Sequence, residues 1–249
     1  MADAGLFNAV SRPTGHPALV VAHRGAWGAA PQNSPAAFEQ AIADGADAIE
    51  LDVRRTADGR IVVVHDPRVG VRPVAKLAHA ELRDRLAQGQ APELAEVLEL
   101  VAGRIGVDIE LKEDGYVERA MAIVTRYLAP DAYVVTSFLE SVLPQVRRIA
   151  PESRTGLLLA SRRRASELDR RVARAGVDFI APHVAVARAG LLAWAAARAM
   201  PAWVWTVNDP RLLRSLFADP RVAAVITDRA RAAARAAAAG PGGNWSAAA

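Results

Sequence analysis

The sequence predicts a (β/α)8 TIM barrel with a short insertion between its second and third barrel strands. Three observations carry this expectation. Short β-branched runs alternate with longer Ala- and Leu-periodic segments, in the order strand then helix. The alternation recurs eight times over about 220 residues, which is what a closed parallel barrel requires. With 249 residues, 52% of them hydrophobic and 5% aromatic, the chain is long for one sandwich and suits one large α/β domain. An open doubly wound sheet is the competing arrangement, and the eightfold count favours closure.

Taken in order, residues 18–22 form the first expected strand, ending just before His23. Ser34-Pro35 supplies a capping hydroxyl and a first-turn proline for a helix over 34–44. The second strand spans 46–53. A turn signal at Ala57-Asp58-Gly59 then sends a short strand, 61–64, back against it. Residues 66–90 break the rhythm and are expected to form a small cap over the barrel mouth. A helix over 91–101 leads into the third barrel strand at 105–111. The remaining strands are expected at 132–136, 154–159, 177–181, 202–207 and 223–227. Helices are expected at 116–128, 141–150, 165–175, 188–200, 210–217 and 228–239, with Asp209-Pro210 repeating the cap-and-proline start. One domain is expected over 1–235. The tail, 236–249, carries Gly240-Pro241-Gly242-Gly243, has too little to bury, and is expected to be disordered. Its Asn244-Trp245-Ser246 matches a glycosylation acceptor but is expected to stay unmodified.

The 31 basic and 27 acidic residues leave a net charge of +4, a mild bias that argues against a nucleic-acid partner. Arg162-Arg163-Arg164, Arg170-Arg171 and Arg174 are interleaved with Glu167 and Asp169 and read as a solvated helix face. The absence of cysteine excludes disulfides, thiolate metal sites and thiol nucleophiles. No charged start followed by an apolar run occurs in residues 1–17, and the stretch 184–200 is interrupted by Arg188 and Arg198. The expectation is a soluble, cytoplasmic protein with no stable membrane insertion.

The chemistry concentrates in His23-Arg24-Gly25, Glu50-Leu51-Asp52, His65-Asp66 and Glu110-Leu111-Lys112. Side chains two apart on a strand share a face, so Glu50 pairs with Asp52 and Glu110 with Lys112 at the carboxyl ends of their strands, where barrel active sites are built. An isolated Glu-x-Asp is ordinarily a solvated face, and a lone His after a strand is ordinarily a structural hydrogen bonder. Here Ile49, Leu51 and Val53 alternate with the acids, so one whole side of a central strand would be polar, which a packed barrel accepts only at a site. Three carboxylates in one enclosed mouth repel one another unless a cation compensates. Their oxygen donors favour a hard divalent ion, Mg²⁺ or Ca²⁺. Arg24 and Lys112 add positive charge for a phosphodiester anion. His23 and His65 are two groups that change charge near neutrality, as a displacement at phosphorus needs for its base and its acid.

These segments resemble the glycerophosphodiester phosphodiesterase family over nearly the whole chain, residues 20–228. The likeness includes Pro31-Gln32-Asn33-Ser34, Thr56-Ala57-Asp58-Gly59, Thr136-Ser137-Phe138, Val204-Trp205-Thr206-Val207-Asn208-Asp209 and Val225-Ile226-Thr227-Asp228. The resemblance implies a β/α barrel that hydrolyses glycerophosphodiesters to glycerol 3-phosphate and an alcohol, through a cyclic phosphate formed by the substrate's own hydroxyl. It implies Glu50, Asp52 and Glu110 as ligands of one metal ion and His23 and His65 as the acid/base pair. It further implies Arg24 and Lys112 as phosphate contacts, and Phe138 and Trp205 as apolar walls. Gln32 departs from the family, which usually carries Glu there, and so replaces a charge by an amide. Two other readings compete: lysophospholipase D-like cleavage of lipid substrates, and a non-catalytic barrel that binds phosphorylated ligands. The motifs specify a small-molecule phosphodiester partner but neither its head group nor an oligomeric state.

Overall fold

Apolar strands that bury both faces must be covered on both, and a parallel barrel wrapped in helices does this. The structure is a computed structural model that describes residues 7, 10, 17–26, 28 and 30–239. Its strands are β1 (Leu19–His23), β2 (Ala48–Arg55), β3 (Ile61–Val63), β4 (Arg68–Val69), β5 (Arg72–Pro73), β6 (Gly106–Leu111), β7 (Tyr133–Ser137), β8 (Arg154–Leu159), β9 (Phe179–Pro182), β10 (Ala202–Val204) and β11 (Val222–Thr227). Among the described residues, eight of these run parallel in the order β1-β11-β10-β9-β8-β7-β6-β2, and β2 closes the ring on β1. All eight expected barrel strands are present, with ends shifted by up to three residues.

The helices are α1 (Pro35–Ala43), α2 (His79–Arg83), α3 (Leu94–Val101), α4 (Val117–Tyr127), α5 (Val142–Ile149), α6 (Ala165–Ala175), α7 (Val184–Val186), α8 (Leu192–Ala196), α9 (Pro210–Ala218) and α10 (Ala230–Ala239). Ser34 accepts from the backbone N–H of Ala37 and Asp209 from that of Arg211, so both cap-and-proline starts operate as expected. Two expectations change. The helix anticipated at 188–200 is cut short, because Gly190 takes a φ of +112° within a wide turn over Ala187–Leu191 and leaves only α8 as regular helix. The helix anticipated from 91 starts at Leu94, since Ala91 sits at φ +48° and is followed by Pro92.

Alternation along the strands sorts the core. Outward residues such as Ile49, Leu51, Ile109 and Leu111 pack against the helices, in one cluster with Leu94, Leu98 and Met121. Inward residues Leu19, Val21, Val134, Leu158, Phe179, Trp203 and Ile226 fill the barrel below the mouth. Gly156 belongs to this layer because a methyl group there would lie 2.3 Å from the Phe179 ring. Phe7 plugs the bottom against Trp203.

After β2, a turn at Gly59 sends β3 antiparallel to it. The β4–β5 hairpin, a 3₁₀ turn (Val74–Lys76) and α2 follow, anchored by a small cluster of Val62, Val74, Leu77, Leu82 and Ala91. At the other end α10 keeps Ala236 buried and runs past residue 235 to Ala239. The rest of the expected tail, 240–249, with its Asn244-Trp245-Ser246, lies outside the described residues. No helix among the described residues is long and apolar enough to cross a membrane.

Candidate active site at the barrel mouth

Strand register builds the site. His23 pairs with Glu50 and Glu50 with Asp108, while Asp52 pairs with Glu110 and Glu110 with Thr136. Two rows of polar side chains therefore lie one above the other at the carboxyl end of the ring. Glu50, Asp52 and Glu110 each offer an oxygen within 4.8 Å of the others, and all three are buried. Asp108 Oδ2 is buried without a hydrogen-bond partner. Asp52 Oδ1 and Glu110 Oε1 are buried too and face one cation, Lys112, whose Nζ lies 3.1 Å from the first and 2.7 Å from the second. Oxygens left with lone pairs in a buried, all-oxygen cluster fit a hard divalent cation.

Electrostatics reflect the crowding. Burial pushes the Glu50 carboxyl well above its ordinary value, and the charges of Asp52, Glu110 and Asp108 add to the push. Burial raises Glu110 to about 7 against the pull of Lys112, and raises Asp108 to about 8 against its hydrogen bond from Thr136. Asp52 goes the other way. Burial opposes its charge, but Lys112, Arg24 and His65 together with a hydrogen bond from Asn33 hold its carboxyl below the usual range. Burial alone would lower Lys112, yet Glu110 and Asp52 keep it raised and charged.

The loop after β1 aims the cation and the ring. Arg24 adopts φ +58° and Gly25 φ +81°, a left-handed turn whose tightness brings Gly25 against Ala37, where a methyl group would lie 2.8 Å away. The turn lets the backbone N–H of Arg24 donate to Glu50 Oε2 (2.9 Å), while its Nη1 donates to Gln32 Oε1 (2.8 Å) and its Nε lies 3.1 Å from Asp52 Oδ2. Asn33 Nδ2 donates to Asp52 Oδ2 (2.8 Å).

Each imidazole has an acidic partner. His23 Nδ1 donates to Asp228 Oδ1 (2.6 Å), and Asn208 Nδ2 donates to the other oxygen of Asp228 (2.5 Å). Burial works against the Asp228 charge, but the bonds from His23 and Asn208 outweigh it and hold its carboxyl low. Since an ionised carboxylate only accepts, the proton sits on Nδ1 and leaves Nε2 of His23 as the free ring nitrogen. His65 Nδ1 bonds Asp66 Oδ1 (2.8 Å) in the same way. Burial lowers the His65 imidazole, with Asp52 and Asp66 pulling the other way.

A cavity of about 210 Å³ joins these groups. His23, Arg24, Glu50, His65, Glu110, Lys112, Phe138 and Trp205 line it, and fully buried Asp52 lies behind them, so all nine residues singled out in the sequence meet in one place. Phe138 and Trp205 stand edge to face, 5.6 Å between ring centres. Sequence reasoning passed over Asp108 and gave no role to Asn33, Asn208 and Asp228, although these three lie in the segments that resemble the family. Two of the four also had a local signal: Asp108 shares a strand face with Glu110 and Lys112, and Asp228 directly follows the last barrel strand.

Fold and site together define a β/α barrel whose mouth gathers a buried carboxylate cluster, two basic side chains and two imidazoles around one cavity. The profile of the glycerophosphoryl diester phosphodiesterase family matches residues 23–232, and the chain belongs to that family. A glycerophosphodiester phosphodiesterase of Caldanaerobacter subterraneus subsp. tengcongensis is 34% identical over 160 residues, which is 56% of this chain and 66% of that relative, just under two thirds of its length. The crystal structure of a glycerophosphodiester phosphodiesterase from Parabacteroides distasonis superposes with a TM-score of 0.76 at 26% identity, covering 89% of this chain and 97% of that one. In fold, the chain is also similar to an Oleispira antarctica phosphodiesterase solved with its product sn-glycerol-3-phosphate (TM-score 0.77, 23% identity, 88% and 96% covered).

Proposed function

We propose that the protein is a metal-dependent hydrolase that splits glycerophosphodiesters into glycerol 3-phosphate and an alcohol. The observation that carries this reading is the meeting, around one cavity, of a three-carboxylate cluster, two carboxylate-held imidazoles and two cations. Glu50, Asp52 and Glu110 would hold the ion, Mg²⁺ or Ca²⁺. When bound, such an ion polarises a phosphoryl oxygen and offsets developing negative charge.

The protein's own groups do the rest. Arg24 and Lys112 bind the phosphodiester anion, and the rings of Phe138 and Trp205 offer an apolar wall to the glycerol carbons. Nε2 of His23 takes the proton of the neighbouring glycerol hydroxyl as that oxygen bonds to phosphorus. The phosphorus–oxygen bond to the alcohol breaks, and His65 gives the leaving oxygen its proton. A phosphodiester anion beside His65 raises its proton affinity, which suits this acid role. The product is a five-membered cyclic phosphate, and the same pair with roles reversed adds water to open it. An internal nucleophile needs no capture of a second reactant, so orientation alone supplies much of the acceleration.

The test is release of glycerol 3-phosphate from glycerophosphocholine and its ethanolamine, inositol and glycerol analogues, in chelator and after Mg²⁺ or Ca²⁺ is restored. Release that stops in chelator and returns with metal supports the reading. No release under any condition refutes it, and faster cleavage of lysophosphatidylcholine than of the deacylated diesters would move the substrate to lipids.

A further inference from the structure

The cavity that takes the phosphate has a neighbour. A second cavity, of about 230 Å³, lies between the insertion and the segment after β1, and His65 lines both. As the proposed acid, His65 would therefore meet the leaving alcohol at the edge of this second cavity. Its polar wall consists of Gln32, Asn33, Asp66, Arg68 and Gln90 beside His65, with the Asn33 amide already bonded to Asp52 through both of its ends.

The hydrogen bonds already made decide what this wall has left to offer. Gln32 Oε1 accepts from Arg24 Nη1 (2.8 Å), and Gln90 Oε1 accepts from the backbone N–H of Ala87 (3.0 Å). With both carbonyls engaged, each amide keeps its NH2 group as a donor. Arg68 gives one N–H to the carbonyl of Val71 and retains the others. Asp66, the carboxylate of this described wall, bonds His65 through Oδ1 and keeps its other oxygen and its charge, which offsets that of Arg68. Donors on two amides and one guanidinium therefore outnumber the remaining carboxylate oxygen, and a donor-rich wall needs acceptor oxygens opposite it. A hydroxyl-rich alcohol supplies them, whereas a quaternary ammonium brings no acceptor for the amide and guanidinium donors.

Resting on the proposed hydrolase activity, we infer that this second cavity is the leaving-alcohol site and selects polyol head groups of the glycerol or inositol type over choline and ethanolamine. The experiment compares kcat/KM of the full-length, metal-loaded protein on the glycerol, inositol, choline and ethanolamine diesters. The wild type should favour the polyol diesters by about tenfold or more, the discrimination expected when a hydrogen-bonding site meets a partner without acceptors. Gln90→Leu should cost the polyol diesters about fivefold, mainly in KM, and leave the choline diester within about twofold. Gln90→Glu, away from Arg24, should shift the preference toward the cationic head groups, because it adds a negative charge to the wall. Thermal melts of both variants establish that they fold. A wild type that cleaves the choline diester as well as the polyol diesters, or a Gln90→Leu variant that slows all four alike, overturns the inference while leaving the hydrolase reading intact. No turnover of any diester overturns both.

Discussion

Replacing Glu110 by glutamine should stabilise the metal-free protein at alkaline pH and leave its stability in acid unchanged. The Glu110 carboxyl rises from 4.5 to about 7 on folding, so the folded state binds that proton more tightly than the unfolded chain does. Below pH 4.5 both states carry the proton and the burial of this group is not penalised. As pH climbs from 4.5 through 7, the unfolded chain gives up its proton first, and the folded state loses stability until both are ionised. A rise of 2.5 (7 less 4.5) at about 1.36 kcal/mol per pH unit amounts to roughly 3 kcal/mol by pH 8. The attraction of Lys112 is already contained in that figure, and Lys112 keeps Asp52 as a partner at 3.1 Å after the substitution. Because the amide does not ionise, Glu110→Gln escapes the loss, which in a chain of this size is on the order of 10 °C in Tm. The assay is thermal unfolding of both proteins in chelator between pH 4.5 and 8.5, repeated with Mg²⁺ or Ca²⁺. Wild-type and variant curves that run parallel across pH, or metal that stabilises both equally, would refute the reasoning about crowded acids.

Three further outcomes follow from the geometry. His65→Ala should lower turnover by about 10²-fold with KM nearly unchanged, since the ring serves proton transfer rather than binding; steady-state kinetics on a cleaved diester decide this. Asp228→Asn should lower kcat by roughly tenfold or more while far-UV circular dichroism stays unchanged, because the His23 ring loses the acceptor that sets its tautomer. Equal kcat would remove Asp228 from the positioning of His23. Gly156→Ala should destabilise the protein by about 1–3 kcal/mol in urea unfolding, because the added methyl meets the Phe179 ring inside a filled barrel.

Much of this molecule was legible before any coordinates. The eight barrel strands and the capped starts of α1 and α9 follow from local periodicity and from Ser34-Pro35 and Asp209-Pro210, signals that act within a few residues of chain. The acids at Glu50, Asp52 and Glu110 were legible for the same reason, since a two-residue repeat assigns a face. Local signals failed where a single backbone angle overrode a pattern, as at Gly190 within an apparently continuous helix and at Ala91 before Pro92.

What composition and spacing determined on their own is the architecture and the kind of chemistry: a parallel barrel with oxygen donors, imidazoles and cations at its open end. Only the closed ring decided which groups touch. Asp228 lies 205 residues from His23 in the chain and reaches it because β1 and β11 are neighbours once the sheet closes. Burial did the same for charge, since Asp52 and Glu110 hold the same kind of carboxyl and yet shift in opposite directions, according to how many cations and hydrogen-bond donors face each of them. Neither strand closure nor local dielectric is written in short stretches of residues, and both set the reactivity of the site.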